Sequence, residues 1–191
     1  MYYFKKLSLC YLIVGVIFLT GCSKDPGTPP ELLVDGTAIV VGETSPSSLN
    51  ESGFTTINLL DYLMFELPEK SWTSSFNLYK DDVSYASLCL VNDSKEEKMV
   101  GQCTIEEVKF SHLEDDRKDL DISINGFNPI GKTQEELKEL YPELILDDDV
   151  DDDTQTHRIN NGDYYIYFQY DKGVMTEIEV KHSFSKSYKE K

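Results

Sequence analysis

Residues 164–182 read YYIYFQYDKGVMTEIEVKH, two alternating runs placed around Asp171-Lys172-Gly173. Alternation of apolar and polar residues is the period of a half-buried β-strand. A polar stretch containing glycine between two such runs signals a hairpin. Pairing Tyr170 with Val174 sets Ile166 opposite Ile178 and Phe168 opposite Thr176 on one face. The other face then carries Tyr165, Tyr167, Glu177 and Glu179. An antiparallel sheet with one buried face follows, since a register slip of one residue would turn the apolar set to water.

Upstream of this hairpin, Leu120, Ile122 and Ile124 alternate with Asp121, Ser123 and Asn125, a second half-buried strand. Thr133 and Glu136 have capping-box spacing, and Leu137, Leu140 and Tyr141 share one face of the short helix that Pro142 ends. The charged stretch SHLEDDRK, residues 111–118, reads as the boundary between two halves. Before it, residues 83–91 and 99–110 read as strands joined by a polar loop. A hairpin centred near residue 96 sets Cys89 directly across from Cys103, within the spacing of a disulfide. Residues 73–79 alternate and Lys80-Asp81-Asp82 is a turn. Residues 54–72 fit either a buried strand or a short helix, with Leu59, Leu60, Tyr62, Leu63, Met64 and Phe65 as the apolar set. Ser45-Pro46 opens a short helix that Gly53 stops, after a short strand over residues 37–41. The predicted fold class is α+β: antiparallel sheets with short helices, arranged as two small similar units. These span residues 37–110 and 119–185, followed by a polar tail, 186–191.

The chain has 191 residues, 18 basic and 35 acidic, for a net charge of −17, with 40% hydrophobic residues. That apolar fraction is normal for a folded domain. A duplex nucleic-acid binder needs a basic face, which this balance opposes.

The N-terminus joins Lys5 and Lys6 to an apolar core over residues 7–19 and then Leu19-Thr20-Gly21-Cys22. The core is short for a membrane span, which needs about 20 apolar residues, and suits a signal peptide instead. Leu19-Thr20-Gly21-Cys22 resembles the lipobox of bacterial lipoproteins. The resemblance implies a signal peptide over 1–21, a diacylglyceryl group on Cys22, and a membrane anchor for an extracytoplasmic protein. Two acyl chains suffice for stable anchoring. Cleavage removes two lysines and no acid, leaving 16 basic against 35 acidic residues, a net −19. Residues 22–36 then form a lipidated tether, with Pro, Gly and Ser concentrated in its first part, and electrostatic repulsion should hold the anionic domain off the membrane. Of four cysteines, Cys10 leaves with the signal and Cys22 takes the lipid, so Cys89 and Cys103 remain to form the disulfide.

Val41-Gly42-Glu43-Thr44 before one short helix echoes Ile130-Gly131-Lys132-Thr133 before the other. Strand, turn, helix and antiparallel strands in that order resemble the small envelope modules of the SmpA and β-lactamase-inhibitor-like families. The mature chain also resembles small Gram-positive lipoproteins. These resemblances imply a non-enzymatic module that binds an envelope protein or assists envelope assembly, with no cofactor.

Residue patterns for catalysis are thin. The three histidines, His112, His157 and His182, accompany no G-x-S-x-G, and Ser183-Phe184-Ser185-Lys186 lacks the partners of an S-x-x-K hydrolase. An envelope hydrolase using paired carboxylates is the alternative reading, although no pair stands out. The run Asp147, Asp148, Asp149, Asp151, Asp152 and Asp153 around Val150 offers oxygens to Ca²⁺ but lacks the glycine and distal glutamate of a calcium loop. It reads first as a solvated loop. The outward set Tyr165, Tyr167, Glu177 and Glu179 is the candidate binding surface, because tyrosine offers apolar area and a polar tip.

Overall fold

The computed structural model describes residues 25–58, 66–114, 117, 119–147, 153–184 and 187–190. Strands β1 (Leu32–Val34), β2 (Thr37–Ile39) and β3 (Thr55–Asn58) flank a 3-10 helix at Pro46–Ser52. Then follow β4 (Glu66–Leu67), β5 (Ser71–Lys80), β6 (Val83–Asn92), β7 (Lys98–Met99), a 3-10 turn at Val100–Gln102, and β8 (Thr104–Ser111). The remainder is β9 (Ile122–Ile124), helix α1 (Gln134–Leu140), β10 (Ile145–Leu146), β11 (Thr154–Asn161), β12 (Tyr164–Asp171), β13 (Val174–His182) and β14 (Lys189–Glu190).

Nine strands form one sheet in the order β10-β11-β12-β13-β8-β6-β5-β14, with β3 also paired to β5. All pairings are antiparallel except β14 on β5. The architecture is thus sheet-dominated, with short helices. The meanders β5-β6-β8 and β11-β12-β13 meet through β8 and β13, where Val108 faces Val180 and Phe110 faces Ile178. The sheet is therefore continuous across the boundary expected at residues 111–118. A three-stranded sheet β2-β1-β9 packs on the inner face, and Leu32, Val34, Ile39, Ile122 and Ile124 share one buried cluster with Ile166, Phe168, Ile178 and Val180. No helix among the described residues is long and apolar enough to cross a membrane.

The hairpin of β12 and β13 buries most of the predicted face, with Ile166, Phe168, Tyr170, Ile178 and Val180 inside, but Thr176, expected opposite Phe168, is half-buried and Met175 is buried next to it. Its register is different. Asp171 pairs with Val174 across a two-residue turn, Lys172 (φ 50°) and Gly173 (φ 81°), a left-handed pair of the kind that favours tight hairpins. A bulge then separates the Tyr170–Met175 pair from the Gln169–Glu177 pair. The turn and the bulge each slip the register by one residue. Either alone would exchange the two faces; together they restore them.

Both helices begin and end where their termini predicted. Gly53 closes the first at φ 84°, a left-handed residue that glycine occupies without strain. Thr133 Oγ1 accepts the Glu136 N–H (3.2 Å) and Glu136 Oε2 accepts the Thr133 N–H (2.9 Å), a complete capping box. Leu137 and Tyr141 are buried, and the Tyr141 hydroxyl donates to the Ile124 carbonyl at 2.8 Å.

Three expectations need correction. Cys89 pairs with Glu107 rather than Cys103, and both cysteines are free, buried thiols. The predicted second strand is broken by the 3-10 turn at Val100–Gln102, and a bulge beside Cys89 shifts the remainder. Cys103 thus lies four residues from the partner of Cys89, roughly 13 Å of extended strand, well past disulfide reach. The tether expected over 22–36 is part of the fold from Pro26 onward, with Leu32 and Val34 in the core. Pro26 accepts the Asp163 N–H at 2.8 Å, and Glu31 and Asn125 exchange hydrogen bonds in both directions. The expected polar tail is also docked, because Lys189–Glu190 pairs in parallel with Ser71 and Trp72. Cys22 and the signal segment lie outside the described residues, as do residues 59–65 and Asp148, Asp149, Asp151 and Asp152.

Candidate functional site

The inner face of the nine-stranded sheet is apolar; the outer face is polar, charged and aromatic. Register places its residues in transverse rows. One row runs Asn160, Tyr165, Lys181, Glu107, Cys89 across β11, β12, β13, β8 and β6. The next runs Arg158, Tyr167, Glu179, Lys109, Ser87, Asn77 and reaches β5. A third holds Thr156, Gln169, Glu177 and Ser111. Strand alternation alone sends these side chains outward, since their neighbours fill the core.

Charges alternate across the rows. Lys181 Nζ lies 2.5 Å from Glu179 Oε1 and 4.6 Å from the centre of the Tyr167 ring. Lys109 Nζ lies 2.8 Å from Glu177 Oε1, and Ser111 Oγ sits 3.2 Å from the other oxygen of Glu177. Tyr165 and Tyr167 stack with ring centres 6.2 Å apart and planes 15° from parallel. Burial disfavours the charged form of Lys181, but the bond to Glu179 and its charge more than offset this and leave the ammonium harder to deprotonate. Glu107 has the opposite problem. Burial, then the charge of Glu179, raise its carboxyl above the ordinary value despite nearby Lys181 and Lys109.

Beyond the first row the tail crosses the same face. Trp72, Phe184 and Tyr188 form an aromatic chain, with centres 5.9 Å apart for Trp72 and Phe184 and 6.1 Å for Phe184 and Tyr188. They line a cleft of about 710 Å³ together with Cys89, Glu107 and Lys181. The Cys89 thiol is pushed strongly up by burial and by Glu107, so it is not a thiolate nucleophile. Cys103 sits in the core, its thiol pushed up to about 11 by burial.

The four residues of the predicted surface share this face. Tyr167 and Glu179 are directly opposite, whereas Tyr165 faces Lys181 and Glu177 faces Gln169. The surface also contains Glu107, Lys109, Lys181, Trp72, Phe184 and Tyr188, which sequence reasoning did not single out. Alternation within β8 does put Glu107, Lys109 and Ser111 on one side; its pairing with β13 carries no local signal. Of the aspartate run, Asp147 is ion-paired with Arg158 at 3.5 Å, and the Asp153 carbonyl accepts the Lys172 N–H. Among the described residues, no cluster of three acidic, histidine or cysteine side chains is placed to hold a metal ion. His182 has a structural partner, Glu106, at 2.7 Å. Compared with known proteins, the chain matches no family model, no curated protein and no solved structure.

Proposed function

We propose that this chain is an extracytoplasmic lipoprotein, anchored through an acylated Cys22, whose outer sheet face binds another protein of the cell envelope. The observation that carries the binding role is the stacked Tyr165–Tyr167 pair set among the ion pairs of Glu177, Glu179, Lys109 and Lys181. Aromatic anchors ringed by polar groups are the usual composition of a protein interface. The lipobox-like Leu19-Thr20-Gly21-Cys22 supports the anchor.

The two meanders are, in this reading, two copies of one unit. Support comes from the strand order, which mirrors itself about the β8–β13 junction, and from the helix and edge strand that precede each meander. Gly42 (φ 86°) and Gly131 (φ 71°) occupy matching places before the two helices.

The test is crosslinking pull-down from native envelopes with Tyr165→Ala and Tyr167→Ala combined. The double variant should fold and remain membrane-bound while losing its partner, since interface anchors cost about 2 kcal/mol or more on truncation. Unchanged capture would overturn the binding face. Hydrolysis by paired carboxylates is the second reading, favoured by Glu107, whose proton affinity is raised beside Glu179 at the cleft. It requires that Glu107→Gln abolish turnover of an envelope glycan.

A further inference from the structure

Residues 26–31 have the composition of a spacer and the packing of a strap. Gly27 and Gly162 pass each other so closely that neither has room for a side chain. A Cβ on Gly27 would strike the Asn161 carbonyl, and one on Gly162 would strike the Pro26 carbonyl and the Gly27 nitrogen. Both glycines have positive φ, 78° and 65°, which independently disfavours a side chain. Hydrogen bonds lock the crossing: Asp163 N–H to the Pro26 carbonyl (2.8 Å) and Asn161 Nδ2 to the Thr28 carbonyl (3.1 Å). Further on, Pro29 and Pro30 help line a cavity of about 390 Å³ with Asn125, Glu143 and Tyr164.

From this packing we infer that residues 26–31 fix the orientation of the domain on the bilayer, with the β11–β12 turn at Asn161–Asp163 as its membrane-facing end. The inference rests on acylation of Cys22. Three residues lie between Cys22 and Pro26, and an extended chain spans at most about 3.6 Å per step, so over four steps Pro26 stands within roughly 14 Å of the lipidated cysteine. A free spacer through residue 31 would more than double that reach and leave orientation open. The strap places one end of β12 near the headgroups and the other end, at Lys172-Gly173, about 23 Å further along the strand. Of the outer rows, the one holding Tyr165, Lys181 and Glu107 is then nearest the lipid, and the one holding Gln169 and Glu177 is farthest. The binding face stands beside the membrane, so its protein partner is one that is itself embedded in or held to the same bilayer.

Mature lipidated protein in phosphatidylcholine nanodiscs containing a trace of gadolinium-chelate lipid tests this by amide NMR. Co-flotation with the lipid reports the anchor, and relaxation broadening reports orientation. The expected result is co-flotation, with amide signals of Asn161–Asp163 and Ser183 lost and those of Lys172–Val174 retained. Two variants complete the test: Gly162→Ala, which expels the strap, and a Gly/Ser stretch inserted between Lys24 and Asp25, which leaves the domain untouched. Both should float and lose the difference between the two ends. Protein that floats yet broadens equally at both ends overturns the strap inference alone, as does a retained gradient in the lengthened variant. Failure of the wild type to float overturns the anchor beneath it.

Discussion

Glu106 reaches His182 at 2.7 Å because a one-residue bulge in β8 inserts it between Ile105, opposite Leu90, and Glu107, opposite Cys89. The bulge turns a carboxylate inward at 7% exposure, where the imidazole at the end of β13 is its partner. Burial raises the proton affinity of Glu106 and His182 partly counters it. His182→Ala should destabilise the domain by about 2 kcal/mol, the cost of leaving a buried charged group unpaired. It should also raise the Glu106 carboxyl further, visible in a carboxyl NMR titration. An unchanged Glu106 titration would show that the pair is not electrostatically coupled.

Glu107 gives a pH dependence of known sign. Its folded-state proton affinity is raised by burial and by Glu179. Between the ordinary value of 4.5 and the raised folded value, the native state holds more protons than the unfolded chain. Stability contributed by this group therefore falls as pH rises through that window. Glu107→Gln should melt higher than wild type at neutral pH and show a flatter stability profile above pH 4.5. Chemical denaturation at stepped pH values checks both.

Cys89 and Cys103 should behave as two inert thiols. Native protein should resist iodoacetamide, because both are buried and their thiols pushed up. Denaturant without any reductant should expose both to Ellman's reagent. Thiols that appear only after reduction would overturn the observed register of β6 and β8.

Tyr141 links α1 to the small sheet. Its hydroxyl bonds the Ile124 carbonyl at 2.8 Å, and its ring stacks on Phe168 with centres 5.7 Å apart. Tyr141→Phe keeps the ring and leaves the Ile124 carbonyl with the Phe127 N–H alone (3.1 Å), so the loss of one buried hydrogen bond should cost about 1 kcal/mol in denaturant melts. Tyr141→Ala also opens a cavity and should cost about 3–5 kcal/mol.

What the sequence disclosed was local. Thr133 and Glu136 announce a helix start through side chains three residues apart, and alternation over residues 164–182 sorts core from surface. The hairpin's register was not disclosed, because a tight Lys172-Gly173 turn and a bulge at Thr176 leave the same alternation as a looser turn without a bulge. The Cys89–Cys103 opposition failed for a related reason: Val100–Gln102 coils into a 3-10 turn that no strand propensity reveals. Long-range backbone contacts left even less trace. Nothing local tells Gly27 that Gly162 lies against it, and Pro-Gly-Thr-Pro-Pro reads as a spacer wherever it docks. The outer face emerged in part, since Tyr165 and Tyr167 point outward by parity, but Lys109 and Glu107 join them only once β8 pairs with β13.

Strand β10 closes one edge of the large sheet with only two residues, Ile145 and Leu146, both about half exposed, at 49% and 52%. Molecules anchored by Cys22 would diffuse in a plane, where copies collide far more often than in bulk solution and an open apolar edge invites them to zip together. The sequence continues from Leu146 directly into the acidic stretch of residues 147–153, and acidic residues flanking a short edge strand disfavour pairing between copies. Two copies approaching edge to edge would bring two such acidic stretches together before a backbone hydrogen bond could form. On a membrane reached through Cys22 as proposed, that repulsion would let the protein crowd without polymerising along the surface.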